Sequence, residues 1–287
     1  MNVCSYIRSG FNRALVRFRL AVYLWLILLA LALLAAAPVN SLLRTQLGHL
    51  YLPEKPFQPF ELYLLEALLA NQQFFAPYAG FLLVFLSFCL LLFVFLGAGL
   101  FGRMLTPDPV VTFREFLADG CRYFWRFGLS LLVFLPFLAV FLLLFRLLAA
   151  PLNLWARQAV TEWPVIISSN LRMLLAILLW TVFKLLLDLV RIIMIAEKKK
   201  LIPAYAAALR FLRRNFIRLW GLYLILGLLV VLISALWLLL GRLLGGSAGI
   251  GVLFFLLLCQ AYLIFRLLAR QTFIGMEYSY YLNHRGN

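Results

Sequence analysis

The alternation of apolar and polar positions divides the chain into six long apolar stretches and short polar connections. The stretches cover 19–38, 79–102, 127–149, 171–195, 219–241 and 249–268. A helix needs about 20 residues to cross the hydrocarbon core of a bilayer, and lipid forces its backbone groups to pair internally. The predicted fold is therefore all-α: a polytopic transmembrane bundle of about six spans, forming a single integral membrane domain over 1–287. Interior Pro136 is expected to kink the third span, which membrane helices tolerate better than soluble ones.

Two connections carry a helical pattern of their own and predict cytoplasmic interfacial amphipathic helices leading into the next span. In 201–218, Ile202, Tyr205, Leu209, Leu212 and Phe216 recur every three or four residues. Arg210, Arg214 and Arg218 lie on the other side, with Arg213 at the boundary. An apolar stripe backed by an arginine face suits a helix in the headgroup layer. In 112–126, Thr112 and Glu115 have the spacing of a capping box, so a helix is expected to begin there. A shift of 92 residues aligns Arg122, Phe124 and Arg126 with Arg214, Phe216 and Arg218. Either a parallel duplication or biased composition alone accounts for that match.

The longest connection, 39–78, holds Pro53, Pro56 and Pro59 and then a leucine-rich stretch from Leu62 to Leu69, read as a short helix on the outer interface. The first span follows four arginines and ends in Ala35-Ala36-Ala37, like a signal peptide. Its apolar run exceeds the usual 7–15 residue core, and Pro38 follows the alanines directly, so a retained signal anchor is expected.

Composition supports the lipid setting. Of the 287 residues 66% are hydrophobic and only 13% charged, too little polar surface for a soluble domain of this size. The net charge of +16 lies at the ends of the apolar runs rather than across a soluble face, which argues against nucleic acid. With a cytoplasmic N-terminus, the inside segments carry 19 Lys and Arg and the outside segments six. This positive-inside bias predicts that both termini are cytoplasmic.

Candidate chemistry is sparse. Thr181, Lys184, Asp188 and Arg191 are spaced three, four and three residues apart, so they share a face of the fourth span. Ionisable groups at membrane depth are costly and are usually paired or face a cavity. The stripe therefore reads as an ion or proton relay, an anionic-headgroup site, or a self-compensated cluster anchoring the helix with Lys184 and Arg191 snorkelling. Lys198, Lys199 and Lys200, followed by Arg210, Arg213, Arg214 and Arg218, form the strongest electrostatic feature. Such clusters attract anionic lipids by about 1 kcal/mol per charge, and they also enforce topology. Gln260 in the sixth span is expected to make an interhelical hydrogen bond.

Gly97-Ala98-Gly99-Leu100-Phe101-Gly102 matches a dinucleotide fingerprint literally but ends a membrane span, where small residues serve close helix packing instead. Cys4, Cys89, Cys121 and Cys259 show neither disulfide nor zinc spacing, and His49 and His284 are the only histidines. No enzyme, cofactor or metal is expected. The expected partners are the bilayer, with anionic lipids at the basic face, and a second copy or another membrane protein.

Three segments carry a resemblance. They are Asp188 to Arg191 with Glu197 and then Tyr205 to Asn215 and Gly221 to Tyr223; Phe116 to Arg126; and Arg266 to Tyr281. Together they resemble an uncharacterised family of bacterial six-helix inner-membrane proteins. More distantly, the layout is similar to the membrane region of glycerophosphodiester phosphodiesterases. The resemblance implies a helical fold in a bacterial inner membrane and transfers no activity. The functional expectation is a non-enzymatic membrane protein that organises lipids or partner proteins through its basic face. The alternative is a small transporter or lipid flippase using the stripe on the fourth span.

Overall fold

A computed structural model describes residues 3–47, 72–108, 110–158, 161–244 and 250–285. These residues form helices α1 (Val3–Val16), α2 (Phe18–Leu47), α3 (Gln72–Leu105), α4 (Phe113–Arg157), α5 (Glu162–Ala196), α6 (Leu201–Leu244) and α7 (Ile250–His284). No strand is present among them. The six helices α2–α7 are each long and apolar enough to cross a membrane. The architecture is all-α and that of a multi-pass membrane protein.

Several boundaries differ from expectation. Helix α2 continues past Pro38 to Leu47, and α3 already begins at Gln72. The leucine-rich stretch proposed between them lies outside the described residues. Helix α4 is helical through both Pro136 and Pro151. The two amphipathic segments run directly into the spans that follow them, within α4 and α6. Thr112 caps α4 as the spacing requires: its hydroxyl accepts from the Glu115 amide and the Glu115 carboxylate accepts from the Thr112 amide. In α6 a non-helical Asn215 (φ −118°, ψ 16°) marks the joint between the amphipathic part and the span.

The amphipathic part of α6 packs on the bundle, and its buried face is rotated from the predicted stripe. Ala204, Tyr205, Ala208, Phe211 and Leu212 are buried, whereas Ile202 (77% exposed) and Leu209 (43%) point outward. The alanines explain the rotation. They let α6 approach its neighbours closely, which a stripe chosen by side-chain size overlooks.

Helix α1 is an addition to the expected elements. It lies against α7 with backbones nearly touching at Gly10 and Gly275. A Cβ on Gly10 would stand 2.6 Å from the Thr272 carbonyl oxygen and 2.7 Å from the Met276 nitrogen. Tyr6 packs on Tyr280 nearby, with ring centroids 5.2 Å apart. Small residues bring α3 and α4 together in the same way. Cβ atoms on Gly99 and Gly102 would meet Phe116 and Asp119, and one on Gly120 would meet Phe95, each at 2.8 Å. The literal nucleotide fingerprint is thus half of a helix crossing.

Burial is concentrated at the end of the bundle where α1, the start of α2, α4 and α6, and the end of α3, α5 and α7 meet. Apart from Ser168, burial in α5 runs from Leu185 to Met194; in α6 it stops at Leu226, and in α7 it begins at Ala269. Arg17 fastens this end, donating to the carbonyl oxygens of Thr106 (2.6 Å) and Asp108 (3.0 Å) in the α3–α4 connection. We call it the gathered end. Toward the opposite end the helices expose leucine, isoleucine and phenylalanine side chains, the surface that lipid covers.

Candidate functional site: a buried ion network beneath a basic end

Helix α5 presents Thr181, Lys184, Asp188 and Arg191 toward its neighbours, and the structure gives each a different partner. The Thr181 hydroxyl donates to the Leu178 carbonyl (2.7 Å) and accepts from the Trp220 indole (3.0 Å). Lys184 places its ammonium 6.0 Å from the centroid of Phe273. Asp188 is 1% exposed and receives both terminal nitrogens of Arg270 on α7, at 2.6 and 2.7 Å. Arg191 stands 3.9 Å from the same carboxylate, with its guanidinium 4.9 Å from the ring centre of Phe127 and 5.8 Å from that of Phe101.

The main partner of Asp188 is therefore not a cation of its own helix. The fork of Arg270 matches the two carboxylate oxygens, the strongest geometry available to such a pair. Arg270 also lies over Phe101 (5.5 Å), so α3, α5 and α7 meet at one charge cluster. Ring faces offer Arg191 and Arg270 an electrostatic surface where no second carboxylate is paired with them. In sequence Arg270 reads as one more topology-setting arginine, because its pairing is made only when α7 lies parallel to α5.

Glu277 is a second group that the pattern of spans does not reveal. It is fully buried, and both carboxyl oxygens lack a hydrogen-bond partner among the described residues. It lies two turns from Arg270 on α7, within electrostatic reach of Lys184, Asp188 and Arg270. A signal was available: Glu277 is the only carboxylate after Glu197 and sits among Ile274, Met276, Tyr280 and Tyr281. Gln271, also fully buried, leaves both polar side-chain atoms unpartnered.

The basic residues lie at the rim of the gathered end. Lys198, Lys199, Lys200, Arg210, Arg213, Arg214 and Arg218 are all exposed. The α5–α6 connection that carries the lysines is tightly held. Glu197 accepts from Lys199 and from the Tyr281 hydroxyl. Burial opposes ionisation of that carboxylate, but these two hydrogen bonds and the Lys199 and Arg285 charges hold it below the usual glutamate range. Lys198 adopts φ 52°, the left-handed conformation that commonly ends a helix. Across the α3–α4 connection, Arg103 pairs with Asp119 at 2.7 Å and Glu115 at 3.1 Å.

Gln260 accepts a hydrogen bond from the Trp25 indole at 2.8 Å, the interhelical use expected of it. Cys89, Cys121 and Cys259 are free thiols. No cluster of three or more potential metal ligands occurs among the described residues. Comparisons with protein-family models, curated proteins and solved structures found no match to this chain.

Proposed function

We propose that this chain is a non-enzymatic protein of the bacterial inner membrane, with both termini in the cytoplasm, that holds anionic lipids against a basic cytoplasmic face. The observation that carries the reading is the set of seven exposed cations on α6 and the connection before it, mounted on the best-packed end of the bundle. Exposed cations beside a span contribute about 1 kcal/mol each toward an anionic leaflet. The excess of Lys and Arg on the same side supports the cytoplasmic orientation. The Asp188 stripe enters this reading as a tie between helices, since Arg270 occupies both carboxylate oxygens.

The test compares wild type with a variant carrying Lys200→Gln, Arg210→Gln, Arg213→Gln and Arg218→Gln, extracted gently and weighed intact with its bound lipids. Loss of co-purifying anionic lipid without loss of fold supports the reading. A stoichiometric protein partner in place of lipid would make the face a protein-docking surface instead.

Glu277 favours a second reading, transport, because a buried carboxyl with unpartnered oxygens is suited to carry a proton or an ion. Proton flux into liposomes that disappears in Glu277→Gln, and survives in the basic-face variant, would establish it.

A further inference from the structure

The opposite end of the bundle contains a cleft of about 540 Å³ between α4 and α5, unrelated to the ion network. Its polar lining is Arg146, Asn153, Ser169 and Arg172. Arg172 is aimed by its own contacts: its Nε donates to the Ser168 carbonyl and one terminal nitrogen to the Asn153 side-chain oxygen. Since that oxygen accepts, the Asn153 amide nitrogen remains as a donor. Arg146 has no hydrogen-bond or ion-pair partner among the described residues. The cleft therefore offers two guanidinium groups, an amide and a hydroxyl, and no carboxylate lines it.

Arg146 is exposed and Arg172 half-buried at the mouth of the cleft, so both guanidinium groups are open to a ligand, and a planar fork of donors matches phosphate oxygens. The remaining walls are Phe145, Ala149, Met173 and Ala176, with exposed Leu142 and Leu174 beside them, a surface for hydrocarbon. Depth agrees with this chemistry. Arg126 at the gathered end and Arg146 are separated by about 30 Å of helix, the thickness of the hydrocarbon core. Arg172 stands nearly the same distance from Arg191 along α5. Both arginines thus fall where acyl chains meet headgroups in the leaflet opposite the basic end.

We propose that the α4–α5 cleft binds the phosphate of a phospholipid, with Arg146 and Arg172 as its ligands and the acyl chains along the exposed leucines. The site reads the phosphodiester rather than net charge, so phosphatidylethanolamine and phosphatidylglycerol bind it within a few-fold of each other.

The test titrates the purified full chain in neutral detergent with each lipid, and separately with inorganic phosphate, and counts adducts by native mass spectrometry. Arg146→Gln is the informative variant because Arg146 makes no hydrogen bond or ion pair among the described residues; its thermal unfolding serves as the folding control. The expected result is one phospholipid held about tenfold more weakly in Arg146→Gln, the factor that loss of one charged hydrogen bond gives. Arg146→Lys, which keeps the charge without the fork, falls between. The four-site basic-face variant keeps wild-type affinity at this site. Equal affinity in wild type and Arg146→Gln would overturn the proposal, as would equal losses in Arg146→Gln and the basic-face variant. Arg146-dependent binding of inorganic phosphate without a phospholipid adduct would overturn the lipid assignment.

Discussion

The gathered and opposite ends of this bundle are built from the same kind of helix yet hold together differently. At the gathered end helices meet through glycine and alanine, and the polar groups between them are tied across long sequence separations. Arg270 to Asp188, Arg17 to the Thr106 carbonyl and Tyr281 to Glu197 are such ties. Away from it the contacts join helices that are consecutive in the chain. Phe141 packs on Phe183 and Trp180 within α4 and α5, and Trp237 stacks on Tyr262 within α6 and α7. Lipid tails are as apolar as leucine, so apolar contact alone does not draw helices together in a membrane. Close backbone approach and polar ties do, and the chain places most of both at one end.

The sharpest way to break this contrast is Asp188→Asn. It leaves the half-buried Arg270 and Arg191 without their paired carboxylate, a loss of up to about 3–5 kcal/mol for a broken buried pair. Folded yield and thermal unfolding in detergent would both fall; wild-type values would show that the network does not hold the gathered end.

Next in size is a matched pair of alanines. Gly10→Ala drives a Cβ into the α7 backbone and should cost about 1–3 kcal/mol as overpacking. Gly227→Ala meets nothing within 4 Å and should gain up to about 1 kcal/mol from helix propensity. Unfolding curves in one detergent would give shifts of opposite sign, and shifts of the same sign would erase the distinction between the ends.

A smaller effect is expected at the opposite end itself. The Tyr262 hydroxyl donates to Ser234 at 2.8 Å, and Tyr262→Phe removes that bond while keeping the stack on Trp237. Double-mutant cycles with Ser234→Ala should give a coupling of about 0.6 kcal/mol, the average for such bonds in membranes.

The least of these effects is a pH dependence at the rim. The Glu197 carboxyl titrates lower in the folded chain than in the unfolded one. Its contribution is therefore complete above the ordinary glutamate range and is lost as pH falls through the depressed folded value. Thermal stability should decline on that acid limb in wild type, and the decline should be shallower in Glu197→Gln. Identical limbs would remove Glu197 from the ties of the gathered end.

The parts legible in the sequence were those written in local pattern. The run lengths of six apolar stretches located the spans, the Thr112–Glu115 spacing located the start of α4, and the isolation of Gln260 in an apolar helix announced its hydrogen bond. The stripe from Thr181 to Arg191 drew attention to Asp188. Its principal partner stayed hidden because Arg270 lies 82 residues from Asp188 and reads as a topology charge. The rotation of α6 was missed for a related reason: alanines bury by permitting close approach, and a pattern of large apolar residues overlooks them. Arg146 and Arg172 are remote in sequence, and only the packing of α4 on α5 places them in one cleft.

By itself, then, the sequence determined that this chain is helical, lipid-embedded and basic at its connections, because hydropathy and charge are summed along the chain and need no partner. Only the tertiary structure decided which arginine neutralises Asp188, that Glu277 is buried beside that pair, and that α1 seats its Gly10 against α7. Those are facts of distance between remote segments, and in a membrane they depend on how closely two backbones can approach.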